Sequence, residues 1–168
     1  MTCWGETWEG ASGMYDGTPG SGFNANWDPI WATAWPENGV ASVSAGDNIT
    51  CAILTNTSTY CLGNGTHGQL GNGEGDGSTS IERESIQYVD FGPGRYAVAI
   101  EAAKSKNYPI TCALLDNGDV ACWGVDTKPT AFRINEPYVV DLDNRKAVGI
   151  SVGGDWEHGS ACAVLEDG

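Results

Sequence analysis

The sequence predicts an all-β repeat protein, and three observations carry that reading. Cys112-Ala-Leu-Leu-Asp-Asn-Gly-Asp-Val-Ala-Cys-Trp-Gly124 reads as a complete β-hairpin, two apolar strands around a tight polar loop. Cys51-Ala-Ile-Leu-Thr-Asn-Thr-Ser-Thr-Tyr-Cys-Leu-Gly63 repeats it with the same nine residues between the cysteines. A third first half, Cys162-Ala-Val-Leu-Glu-Asp-Gly168, stops at its turn, and a matching second half, Met1-Thr-Cys-Trp-Gly5, stands at the other end. The first cysteines of the units, at 51, 112 and 162, are 61 and 50 residues apart. Self-similarity at that period signals a propeller or a solenoid.

The hairpin fixes its own register. A three-residue loop, Asp116-Asn117-Gly118, ends on a residue that must adopt positive φ, and Gly118 does so without steric cost. Leu115 then faces Asp119, Leu114 faces Val120 and Cys112 faces Cys122. Directly opposed residues lie close enough for a disulfide, so Cys112–Cys122 and Cys51–Cys61 are expected staples. Each should contribute about 3 kcal/mol in the chain-entropy model. Leu114 and Val120 share a face with the cysteines, while Ala113, Leu115, Ala121 and Trp123 occupy the other. A strand apolar on both sides is expected where sheets stack on sheets.

Ahead of each first cysteine runs an alternating small and apolar strand: Ala41–Gly46, Ala97–Ala102 and Ala147–Gly153. The succession Ser44-Ala-Gly46, Cys51-Ala-Ile-Leu54, Cys61-Leu-Gly63 and Gly68-Gln-Leu-Gly71 resembles the repeat of the regulator-of-chromosome-condensation propellers. It is most similar to their secreted, disulfide-bearing prokaryotic branch. The resemblance implies blades of four antiparallel strands, usually about seven to a ring. On that pattern the chain forms a single repeat domain of about three blades. Residues 1–5 are the second half of a split blade, 6–63 and 64–124 are full repeats, and 125–168 begin a third.

Composition narrows the function. The 168 residues carry 22 acidic against 8 basic side chains, a net charge of −14. That balance speaks against nucleic-acid or anionic-membrane partners, which need a basic face. Six cysteines at repeat-equivalent positions point to an oxidising compartment. None is paired as Cys-x-x-Cys, so zinc is not expected. Three sequons begin at Asn48, Asn56 and Asn64, and Asn56 falls at a hairpin tip that would tolerate a glycan. Neither a signal peptide nor a membrane span is recognisable, so the chain reads as a mature or internal segment at the cell surface or outside the cell.

Residues 5–26, rich in Gly, Ser, Thr and Asn, read as a long loop. Trp27, Trp31 and Trp35 follow at four-residue spacing, which suits one helical face begun at Asp28-Pro29. The repeat instead calls for an outer strand there, and both readings stand. These rings are candidates for a sugar platform or a subunit contact, with filling of the gap between blades preferred. Gly63-Asn-Gly-Thr-His-Gly68 matches a dinucleotide-binding pattern, but no helix or βαβ unit surrounds it. Glu74 and Asp76 are weak calcium candidates in a loop without a calcium-loop spacing, so no metal is expected. Strand character resumes at 85–91 and 96–102, and again at 130–134 and 138–142.

No catalytic site emerges. His67 and His158 are the only histidines, Gly-x-Ser-x-Gly is absent, and every cysteine has a place in a staple. His158 precedes a Cys-Ala strand, where a structural hydrogen bond is expected. Neither an enzyme nor a cofactor is expected. Two readings remain. In the first, the chain is a structural or adhesive unit of a surface fibre, sheath or appendage. Copies join head to tail, or to the rest of a longer propeller, and Cys162 bonds Cys3 of the next copy. In the second, blade loops recognise a protein or a glycan.

Overall fold

The computed structural model describes residues 2–3, 30–31, 39–47, 49–73, 87–103, 105, 108–125, 133–155 and 159–168. These contain twelve strands and no helix. In chain order the strands are β1 (Thr2–Cys3), β2 (Ile30–Trp31), β3 (Val40–Ala45), β4 (Ile49–Leu54), β5 (Thr59–Gly63) and β6 (Gln87–Tyr88). They continue as β7 (Ala97–Ala102), β8 (Ile110–Leu115), β9 (Val120–Val125), β10 (Arg133–Val139), β11 (Ala147–Gly154) and β12 (Gly159–Leu165). All pairings are antiparallel. They form two complete four-stranded sheets, β3-β4-β5-β6 and β7-β8-β9-β10, and two half-sheets, β1-β2 and β11-β12.

The central hairpins have the register that their sequences dictate. Cys112 pairs with Cys122 and Leu114 with Val120, while the Leu115 and Gly118 amides close the loop on Asp119 O and Leu115 O. Gly118 has φ 81°. Disulfides join Cys51 to Cys61 and Cys112 to Cys122, each across a Cα–Cα distance of 4.1 Å. The first strand of three of the sheets, β3, β7 and β11, carries the same irregularity, between Val40 and Ser42, Ala97 and Ala99, and Ala147 and Gly149. One extra residue in an antiparallel pair bends the strand and increases its twist.

The core lies between sheets. The disulfide face of the first complete sheet (Ile49, Cys51, Ile53, Cys61) packs against Ala97, Ile100, Ala113, Leu115, Ala121 and Trp123 of the second. The disulfide face of the second (Cys112, Leu114, Val120, Cys122) packs in turn against Ala147, with Ile150, Val152 and Leu165 half-buried beside it. The staples therefore sit inside the inter-sheet contact, and every bonded cysteine is buried.

The loop after β5 crosses onto the second sheet. Gln69 O accepts hydrogen bonds from Trp123 Nε1 at 2.8 Å and Thr111 Oγ1 at 3.3 Å. Further along, Gly73 N donates to Asn135 O, and Asn135 Nδ2 donates to Gly73 O. Strand β10 is irregular at this point: Ile134 faces Gly124, yet Tyr138 already faces Cys122. The sequence pattern suggested two outer runs, 130–134 and 138–142. Among the described residues they join into one bulged strand, Arg133–Val139. The departure from the ladder lets Asn135 receive the loop, and it coincides with Pro137, which has no N–H to give.

One residue of the core is mismatched. Thr59 is 1% exposed, and its hydroxyl has no hydrogen-bond partner among the described residues. The register aligns it with Val120 of the second sheet. Thr59→Val should therefore raise stability by about 1 kcal/mol, read from the urea midpoint, because a buried unpaired hydroxyl carries its desolvation cost uncompensated. An unchanged or lowered midpoint would mean the hydroxyl is satisfied.

Candidate functional site

The candidate site is strand β12, whose burial departs from that of its repeat equivalents. In β4 and β8 the residues from Thr50 to Ile53 and from Thr111 to Leu114 are all buried. The equivalent Ala161, Cys162, Ala163 and Val164 of β12 are all exposed, Val164 to 62%. Cys162 forms no disulfide. Among the described residues β12 has β11 on one side and no strand on the other, whereas β4 and β8 lie between two strands. A strand with an open edge and bare apolar faces is a template for strand addition.

The other half-sheet also carries a cysteine at a repeat-equivalent position. Cys3 of β1 pairs with Ile30 of β2, as Cys61 pairs with Gln87 and Cys122 with Tyr138. Its cysteine thus holds the pairing position of a third strand beside an outer strand, and among the described residues these two strands form the whole sheet. A further apolar position is exposed on β3. Val43 of β3 is 50% exposed, although the equivalent Ile100 is 3% exposed against the preceding sheet's disulfide face. Among the described residues the disulfide-type face of β12 and Val43 of β3 are thus exposed where their repeat equivalents are buried.

Polar contacts gather at the hairpin tips. Asp116 pairs with Arg95 at 3.0 Å, and Asp119 pairs with Lys146 at 2.6 Å, linking the second sheet's tip to the strand entering β11. Ala147 N also donates to Gly118 O. The Lys146 ammonium, and next the Asn117 amide, hold the Asp119 carboxyl below its ordinary range, against the opposing effect of partial burial. A depressed carboxyl contributes stability above its unfolded pKa, about 3.9, and loses it as pH falls through the folded value. Lys146→Met should cost about 0.5 kcal/mol at neutral pH, because both groups are partly exposed. That cost should vanish in acid; a difference that persists there would mean the loss comes from packing, not charge.

Of the other residues singled out in the sequence, Trp31 lies in β2 as extended chain. Trp27, Trp35, Asn48, Glu74, Asp76 and His158 lie outside the described residues. Asn56 is exposed at the first hairpin tip, and Asn64 is half-buried at the start of the crossing loop. Among the described residues no group of His, Cys, Asp or Glu is arranged to hold a metal, and no helix is long and apolar enough to cross a membrane. The sequence reading missed the Trp123–Gln69 lock and the Lys146–Asp119 pair. The first had a signal in the Gly68-Gln-Leu-Gly71 motif; the second joins residues with no pattern between them.

No protein-family model and no curated protein matches the chain. Solved structures do. Prp20p from Saccharomyces cerevisiae, described with its binding properties to Gsp1p and histones, matches at TM-score 0.71 and 20% identity, covering 99% of this chain and 39% of that one. Yeast RCC1 (Prp20) bound to Kap60 matches at 0.66 and 19%, covering 91% and 36%. Human WBSCR16 matches at 0.72 and 17%, covering 99% and 41%. The chain spans about two fifths of the length of these proteins. Its complete sheets and half-sheets are thus blades and half-blades of an RCC1-like β-propeller fold.

Proposed function

We propose that this chain is an extracellular, disulfide-stapled propeller module that works by binding protein, and that its split blade is an assembly joint. The partner at the joint is another copy joined head to tail. β12 receives β1 of that copy, Cys162 bonds its Cys3, and the completed blade lies against Val43. The observation that carries this reading is β12, whose residues are exposed where both equivalent strands are buried and stapled. Read across the joint, Cys162 and Cys3 are separated by eight residues against nine in the intact hairpins. Two disulfides among the described residues favour an oxidising, extracellular setting. In a surface fibre, sheath or appendage such joints would repeat.

Intact mass with and without reductant tests this. A ladder of 17.6 kDa units, each plus any glycan mass, that collapses to one unit on reduction is the expected result. A single one-unit species, 17.6 kDa plus any glycan, with or without reductant, or a much longer polypeptide whose length reductant leaves unchanged, would remove the joint. A second reading is favoured by the structural neighbours, since Prp20p is described with binding to Gsp1p and histones and yeast RCC1 with Kap60. There the blade loops recognise a protein or a glycan through Trp27, Trp31 and Trp35. Alanine at all three would then abolish ligand binding and leave folding intact, whereas the assembly reading expects damage to folding or association.

A further inference from the structure

We propose that Asn56 is an N-glycan acceptor and that Asn64 is not, an inference that rests on the extracellular reading above. The two described sequons differ in surroundings. Asn56 is exposed at the tip of the β4–β5 hairpin, in an Asx-turn that Ser58 N closes on Asn56 Oδ1 at 3.1 Å. The second sheet builds the same turn, where Asp119 N donates to Asn117 Oδ1 at 3.1 Å. There, however, the third residue is an aspartate held by Lys146, which ties the tip to the next blade. In the first sheet Ser58 replaces the aspartate, and Tyr96 stands in the register position of Lys146. The ionic tie is gone, and an acceptor Asn-x-Ser stands in its place on an exposed tip.

Asn64 has the opposite setting. Thr66 donates both its N–H (2.8 Å) and its hydroxyl (2.7 Å) to Asn64 Oδ1, and that hydroxyl also lies 3.0 Å from His67 Nδ1. Four residues on, the loop is pressed onto the second blade, where a Cβ on Gly68 would stand 2.9 Å from Ile134 O. A bulky, solvated glycan belongs on the exposed tip and not at the root of a loop laid down between blades. In the transfer, Asn56 Nδ2 bonds to the anomeric carbon of a lipid-pyrophosphate-linked oligosaccharide. The carbon–oxygen bond to pyrophosphate breaks, the electron pair leaves with that oxygen, and Nδ2 gives up one proton; nothing is oxidised or reduced.

The test is to secrete the 168-residue chain from a glycosylating host cell and release glycans with peptide-N-glycosidase in heavy-oxygen water. The expected result is a heavy aspartate at 56 and an unlabelled asparagine at 64. Asn56→Gln and Ser58→Asp, the second restoring the other blade's residue, should each abolish the label at 56 completely. Both variants should keep the 51–61 and 112–122 disulfides, which controls for folding. An unlabelled Asn56, or a labelled Asn64, in secreted and oxidised protein would overturn the proposal while leaving the extracellular reading in place. A chain that never oxidises at 51–61 would overturn that reading and this inference with it.

Discussion

Gly124→Ala is expected to destabilise the protein by about 4 kcal/mol, from about 1–3 for the forced backbone conformation and a similar amount for displaced backbone. Gly124 has φ 108°, and a Cβ there would lie 2.2 Å from Pro109 O. That carbonyl is not free to move, because it accepts the Val125 amide at 2.9 Å. Gly94→Ala is the control: φ is 70°, but nothing lies within 4 Å of the added atom. Only the conformational part, about 1 kcal/mol, should appear there. Urea denaturation of the oxidised protein compares the two, and equal losses would show that the Pro109 contact carries no weight.

Trp123→Ala should cost about 3–5 kcal/mol, the usual range for deleting a large buried aromatic. The ring is 1% exposed, packs 5.9 Å from Phe91 between centroids, and is closed over by Gly71. Trp123→Phe separates the two contributions. It keeps a ring but removes the donor to Gln69 O, which retains only the longer bond from Thr111 Oγ1. About 1–2 kcal/mol should then be lost. If phenylalanine costs as much as alanine, the hydrogen bond and not the packing holds the crossing loop. Thermal unfolding followed by tryptophan fluorescence reads out Trp123→Phe less cleanly than far-ultraviolet dichroism, since the probe itself is altered.

The parts of this fold that were legible in the sequence are those set by short-range chemistry. The Asp116-Asn117-Gly118 loop fixed the hairpin register, and the register fixed which residues share a face with Cys112. The half-hairpin at Cys162 was readable for the same reason, as a copy of a pattern already seen twice. What lay beyond reach came from contacts between blades. Gln69 and Trp123 are 54 residues apart and meet only because one blade's loop falls on the next. Lys146 and Asp119 meet for the same reason. The bulge at Asn135 was illegible because apolar alternation marks a strand but does not reveal that another loop needs one of its carbonyls. The exposure of Val43 is likewise invisible to a pattern that scores it as core.

The outer strand β6 and the inner strand β7 belong to different sheets, yet one short segment, residues 87–102, carries both. The genetic period and the blade are therefore out of phase by a strand. Duplicating a stretch that runs from one Cys-x-Gly to the next would insert an outer strand for the old blade and three strands for a new one. Every edge would stay matched, and only the number of blades would change. Losing such a stretch would be equally silent at the seam. A lineage built this way can alter its ring size or arc length by unequal recombination without passing through a chain that exposes a new edge.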